Sequence, residues 1–263
     1  MHPFYFGSGT RRLFGIYEPS TRAQSRRRAV LLCHPWGPEY LHAHRAMRHL
    51  SRLLAESGID AMRFDYFATG DSGGADGEGD LTGWRSDVAT AAEELQSLSG
   101  AARVTVVGMR LGASLAVAAA AADLRPTVER LVLWDPVVTG ADYFDDLRAM
   151  DLAYAAAIGD HDRRPAIDGT QCEIVGFPLT ARIQHELAQF SLASVAGAIA
   201  CPVFVVASTT RAACERMRSA LSPVKALEIQ RIENPPVWIE DWPQQSGLVP
   251  VKTLRQIVEW VAT

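Results

Sequence analysis

The sequence predicts an α/β domain with a mostly parallel sheet covered by helices on both faces. Two observations carry that expectation. From Arg28 onward, short apolar runs alternate with amphipathic stretches. Strand, helix and strand at this spacing imply right-handed crossovers, which lay helices over a parallel sheet. The apolar runs are also continuous rather than alternating, as in strands buried on both sides.

Arg28 to His34 is the first such run, and Pro35 stops it. A helix follows, with Ala43, Ala46, Met47, Leu50, Leu53 and Leu54 on one stripe and Gly58 as its stop signal. Ile59 to Tyr66 is the next strand, Gly70 to Gly79 a Gly/Asp-rich loop, and Trp84 to Leu98 a helix. Strand Arg103 to Val107, a tight turn, helix Ala113 to Ala122 and strand Arg130 to Trp134 complete the first half. The alternation then breaks. Helical periodicity at Tyr143 to Ile158 and Leu179 to Ser194 surrounds a short hairpin, Thr170 to Pro178, which reads as an inserted cap. Strand Pro202 to Ala207, helix Arg211 to Leu221, strand Val224 to Ile229 and helix Val251 to Val261 resume the pattern. The expected division is a core of residues 1–136 and 201–263 with a cap of residues 137–200.

Composition agrees with one large domain. The 263 residues are 48% hydrophobic and 21% charged, with formal charge −4. Disordered, collagen-like and coiled-coil classes are excluded. A mildly acidic chain is not expected to bind nucleic acid. The four cysteines, Cys33, Cys172, Cys201 and Cys214, show no metal spacing and read as buried thiols of a reducing compartment. With no signal-peptide pattern and no apolar run long enough for a membrane span, the expected location is cytoplasmic. No cofactor or metal is expected; of His42, His44 and His49 on one helix, only the last two approach ligand spacing.

The informative segment is Val104 to Ser114. A strand, then Gly108, Met109, Arg110, Leu111 and Gly112, then a helix of small residues, spells a nucleophile elbow. Its glycines are required because the central residue is strained and side chains two positions away would collide. That central residue should be Ser, Cys or Asp, and here it is Arg110. Arginine stays protonated and offers only donors, so it forms no acyl-enzyme. The acid position after strand Pro202 to Ala207 is Ser208, Thr209, Thr210 and Arg211, without a carboxylate. The loop Arg231 to Pro250 has no histidine, and none of the seven histidines lies beyond His185. Three positions fail together, which excludes a Ser-His-Asp mechanism.

Cys33 to Gly37, Arg63 to Gly73, the Gly108 to Gly112 elbow and Leu133 to Pro136 resemble the serine-aminopeptidase-like branch of the α/β-hydrolases. Within it, the chain resembles an Arg-elbow subgroup of exosortase-associated hydrolase-like proteins. The likeness runs from about Arg28 to the C-terminus. It implies the α/β-hydrolase fold, with a helical cap inserted after the sixth strand, and a setting in a bacterial biosynthetic pathway. It implies no secure activity.

On that fold, the oxyanion amides fall at Trp36, in the loop with Gly37, and at Leu111. Two such donors suit a carboxylate or carbonyl, and Arg110 would add a bidentate cation. The competing reading turns Arg110 into a buried salt bridge with Asp135 or Asp65. His34 reads as a general base or as a structural histidine bonded to backbone. Asp135, at a strand end, is the remaining catalytic carboxylate or the counter-ion of Arg110. Glu39, on the same loop as His34, is a weaker carboxylate candidate that reads more readily as solvated. The string Gly70 to Gly74 mimics a trypsin-like protease signature, but its Asp71 and Ser72, with Asp65, read as turn-bonding residues.

Three functions follow. The first is a non-serine enzyme acting on an acyl or carboxylate small molecule, with His34 or Asp135 moving protons. The second is a catalytically inactive homologue that binds such a ligand, or a carrier or synthase protein. The third is an ester or thioester hydrolase with a relocated nucleophile.

Overall fold

The computed structural model describes every residue except 23–26, 123–126, 161–171, 209, 234–235 and 240–248. Its first element is one the sequence did not announce, an antiparallel hairpin of β1 (His2–Ser8) and β2 (Arg11–Glu18). Glycines interrupt its alternation, so its period is hard to see. Gly7 takes φ 86°, and a Cβ there would press on the Arg11 carbonyl, so the turn demands glycine. Phe6 and Leu13 point into the core and anchor the pair.

The predicted alternation follows in order: β3 (Ala29–Cys33), α1 (Pro38–Glu56), β4 (Asp60–Asp65), α2 (Leu81–Ser99), β5 (Val104–Met109), α3 (Leu111–Ala121) and β6 (Val128–Trp134). After β6 come α4 (Gly140–Ala157), a hairpin of β7 (Cys172–Ile174) and β8 (Phe177–Leu179), α5 (Ala181–Gln189) and α6 (Leu192–Ala196). The last two correct the single helix expected over Leu179 to Ser194. Phe190 is extended and Ser191 bridges to Thr139, which splits the helix. Then β9 (Val203–Ala207), α7 (Arg211–Ala220), β10 (Leu227–Arg231) and α8 (Val251–Ala262) close the chain.

The sheet order is β1-β2-β4-β3-β5-β6-β9-β10. The hairpin joins β4 antiparallel, and every pairing from β4 to β10 is parallel. Each strand buries alternate residues against opposite layers. Leu31 and Cys33 of β3 pack with Trp84 and Val88 of α2, together with Leu147, Ile174 and Leu187 of the segment after β6. Val30 and Leu32 pack with Met47 and Leu50 of α1 and Leu254 and Ile257 of α8. The described residues of 137–200 therefore share the α2/α3 core.

Polar ties reinforce this layer. Asp80 caps α2 by accepting from the Gly83 amide at 2.7 Å, and Glu186 of α5 accepts from the Leu81 amide at 2.6 Å. Cys33 and Cys214 are buried free thiols and Cys201 is half-buried; the Cys172 side chain lies outside the described residues. Among the described residues no helix is long and apolar enough to cross a membrane.

Candidate functional site

The tips of β3, β5 and β6 converge where the elbow lies. Arg110 links β5 to α3 with φ 52° and ψ −123°, a left-handed conformation costing on the order of 1–3 kcal/mol for a residue with a side chain. The glycines permit it. A Cβ at Gly108 would strike the Ala113 backbone, and one at Gly112 would strike the carbonyls of Cys33 and His34. The Arg110 amide donates to the Trp134 carbonyl at 2.9 Å, tying the turn to β6. The strained turn read from the glycine spacing is therefore present, with arginine at its apex.

The Arg110 side chain is only 6% exposed. Its Nε donates to Glu39 Oε1 at 2.7 Å and its Nη2 to Asp146. Tyr143 Oη donates to the other Glu39 oxygen at 3.0 Å. The guanidinium lies 5.0 Å from the Trp238 ring centroid and 5.5 Å from that of Tyr143. Burial works against its charge, but Glu39 and Asp146 beside it prevail and hold it above its ordinary range. Burial pushes the Glu39 carboxyl up, against the pull of Arg110 and Tyr143.

The expected buried ion pair thus exists with other partners. Asp135 is fully buried, but its Oδ1 accepts from the Ser208 amide at 2.9 Å and its Oδ2 from the Ser208 hydroxyl. It ties the end of β6 to the end of β9. Asp65 is held by Tyr40 Oη at 3.1 Å and by the Asp71 amide at 2.9 Å. Glu39 corrects the expectation of a solvated residue, being fully buried. Gly37, at φ 63°, turns the chain so that α1 begins at the site. Glu39 in its first turn then meets the guanidinium, and an acid is favoured there. Sequence reasoning missed Asp146, Tyr143 and Trp238. The acidic cluster Asp142, Asp145 and Asp146 on α4 was the available signal.

His34 is buried at the tip of β3, its ring 4.3 Å from Tyr40 and 5.0 Å from Tyr66. Nδ1 bonds the Pro35 carbonyl at 2.9 Å and so carries its proton there. Nε2 sits 3.3 Å from Asp65 Oδ1, within ion-pair range but without the alignment of a hydrogen bond. Burial would raise the Asp65 carboxyl, but His34, the Asp71 amide and Tyr40 together hold it below the usual carboxylate range. The Gly70 to Gly74 string makes turns, as its spacing suggested. Ser72 Oγ donates to the Asp65 carbonyl at 2.6 Å and accepts from the Phe14 amide at 2.8 Å.

A cavity of about 80 Å³ opens beside His34, walled by Trp36, Gly37, Tyr66, Trp84 and Phe177. The Trp36 ring stands 6.1 Å from Trp84 and 6.5 Å from Phe177. Leu111 is the first residue of α3 and is buried. Among the described residues, no three His, Cys, Asp or Glu side chains group to hold a metal.

No family model and no curated protein matches the chain. Solved structures do. Est1E from Butyrivibrio proteoclasticus with bound ferulic acid is 16% identical, covers 98% of this chain and 96% of its own, and has a TM-score of 0.70. The enol-lactonase from Burkholderia xenovorans is 16% identical with a TM-score of 0.63, covering 98% of this chain and 100% of its own. Proline iminopeptidase from Mycobacterium smegmatis is 15% identical with a TM-score of 0.63, covering 98% and 99%. Matched by such structures over nearly its whole length, the chain has the α/β-hydrolase fold.

Proposed function

We propose that this chain binds an acyl or carboxylate-bearing small molecule without serine-hydrolase chemistry, residues 137–200 acting as a cap on a core of residues 1–136 and 201–263. One observation carries the reading: the apex of the elbow is an arginine, buried and clamped between Glu39 and Asp146. A guanidinium so held attacks no carbonyl, and two of its donor positions are already taken. Of the other proton carriers, Asp135 is bound by Ser208 and His34 Nδ1 by the Pro35 carbonyl, while His34 Nε2, 3.3 Å from Asp65, makes no hydrogen bond. What remains is an aromatic cavity lined by Trp36 and Gly37, with the Trp36 amide as a donor for a ligand oxygen; Leu111, the other expected donor, is buried outside that lining. The clamp on Arg110 and the Ser208 hold on Asp135 support the catalytically inactive alternative weighed from the sequence.

The test uses a neutral acyl probe, S-butyryl-N-acetylcysteamine. The protein should quench its Trp36 and Trp84 fluorescence on binding the probe and release no thiol above the buffer rate. Asp76 lines the cavity and is exposed, so Asp76→Trp should plug it and abolish quenching. Thiol release lost on mutating one Ser or Cys would overturn the reading, and release lost in His34→Gln would assign proton transfer to that residue.

A further inference from the structure

A second cavity, of about 300 Å³, lies on the α1 side of the sheet. His34 and Tyr40 line both cavities and stand between them. Its floor is β2 and β4, where Ile16 is paired with Arg63, and its wall is α1 through Met47 and Arg48. The hairpin overhangs this edge through Phe14.

Arg63 is anomalous in its setting. It projects from a sheet strand beneath a helix, half-buried, and its Nε is buried with no hydrogen-bond partner. Among the described residues no ion pair reaches its guanidinium. Asp65, on the same strand and face, is committed to Tyr40, the Asp71 amide and His34. Asp71 and Glu18 are the other acids nearby, and neither bonds it. Burial, with Arg48 as a like charge, pushes the Arg63 guanidinium below its ordinary range against the pull of Tyr40, Glu18 and Asp65. An arginine does not escape by losing its proton, so one whose neighbours offset its charge only in part, with its Nε unbonded, costs stability until an anion arrives. Arg48 stands at the exposed rim as a second cation. Phe14, Ile16, Leu32 and Met47 supply an apolar lining.

We propose that this cavity binds a small organic anion, a carboxylate with a short aliphatic body, its oxygens on the Arg63 fork and its chain against Ile16 and Met47. A planar guanidinium matches a carboxylate in bidentate fashion, which ranks it above other donors for that group. The site shares the His34 and Tyr40 wall with the cavity beside Trp36, but its anion-holding groups, Arg63 and Arg48, line only this one.

The probes are hexanoate, neutral hexanol and inorganic phosphate, followed by calorimetric titration and by thermal shift. Hexanoate should bind saturably, hexanol should not, and phosphate, lacking the apolar body, should bind more weakly. Arg63→Gln should weaken hexanoate about tenfold or more, and Arg48→Gln, at the rim, by less. Ligand-free Arg63→Met should melt above the wild type, because an unpaired cation has gone. Asp76→Trp, which plugs the other cavity, should leave hexanoate binding unchanged. Equal binding of hexanoate by Arg63→Gln, or of hexanol by the wild type, overturns the proposal. If Arg63→Gln does not fold, charge reversal by Arg48→Glu at the exposed rim decides. Unchanged hexanoate affinity there also refutes the site.

Discussion

Replacing Arg110 by methionine should be among the most damaging single changes in this protein, and the structure sets its size. Glu39 is fully buried and its oxygens rely on Arg110 and Tyr143. Removing one partner of a buried pair costs about 3–5 kcal/mol, since the other charge is left without compensation. The Asp146 bridge adds at most about 1 kcal/mol, because that carboxylate is 55% exposed. Unfolding entropy near 60 °C is about 2.1 cal/mol/K per residue, so 263 residues give about 0.55 kcal/mol/K. A loss of about 3–6 kcal/mol, the Asp146 bridge included, then lowers Tm by about 5–11 °C. The assay is thermal melting followed by circular dichroism, with urea midpoints as a check. Arg110→Met with Glu39→Leu removes both charges and should recover most of the loss. The gap between Arg110→Met and wild type should also narrow in acid. Burial raises the Glu39 carboxyl in the folded state. The resulting penalty is absent below the unfolded pKa and grows as pH rises through the folded one. A single variant melting within about 2 °C of the wild type at neutral pH would refute the reasoning, as would a double variant no better than the single.

Other outcomes follow from the same contacts. Gly112→Ala places a Cβ against the Cys33 and His34 carbonyls, so the variant should be recovered mainly as insoluble protein in an expression assay. Asp65 is held below the usual carboxylate range. It therefore contributes stability present above its unfolded pKa and lost as pH falls through the folded one. Asp65→Asn should be clearly less stable at neutral pH and approach the wild type in strong acid, read from urea midpoints. Ser208→Ala removes the hydroxyl donor to buried Asp135 and should cost about 1.5–3 kcal/mol in the same titration. Cys33 is wholly buried and its thiol is pushed well up by that burial, so labelling by a thiol reagent should not change in Cys33→Ser.

The sheet was legible because burial on both faces writes itself as unbroken apolar runs, as in Val30, Leu31 and Leu32. The elbow was legible for a different reason. Gly108 and Gly112 are dictated by backbone collisions, so they persist whatever occupies position 110. The hairpin was not legible, because an edge pair exposed on one side shows only weak alternation broken by Gly7 and Gly9. Nor were the partners of Arg110. A guanidinium at the end of a flexible side chain pairs with whichever carboxylates lie nearest in space, here one buried and one exposed. Glu39 and Asp146 lie 71 and 36 residues away along the chain. The acids that sequence position favoured, Asp135 and Asp65, were already taken: Asp65 in part by the Asp71 amide, as the turn spacing suggested, and otherwise by Tyr40 and Ser208 in bonds that no spacing announces.

The cap on α2 has a consequence for how the chain is made. The Leu81 amide finds its acceptor in Glu186, 105 residues later. A ribosome adding roughly 5–20 residues per second needs roughly 5–20 s to cover that distance. During this interval the first turn of α2 is without a partner that the finished protein supplies, and the face that Leu147 and Leu187 will cover is open. Until the segment after β6 is made, this apolar face stays uncovered, an exposure that favours association with other chains.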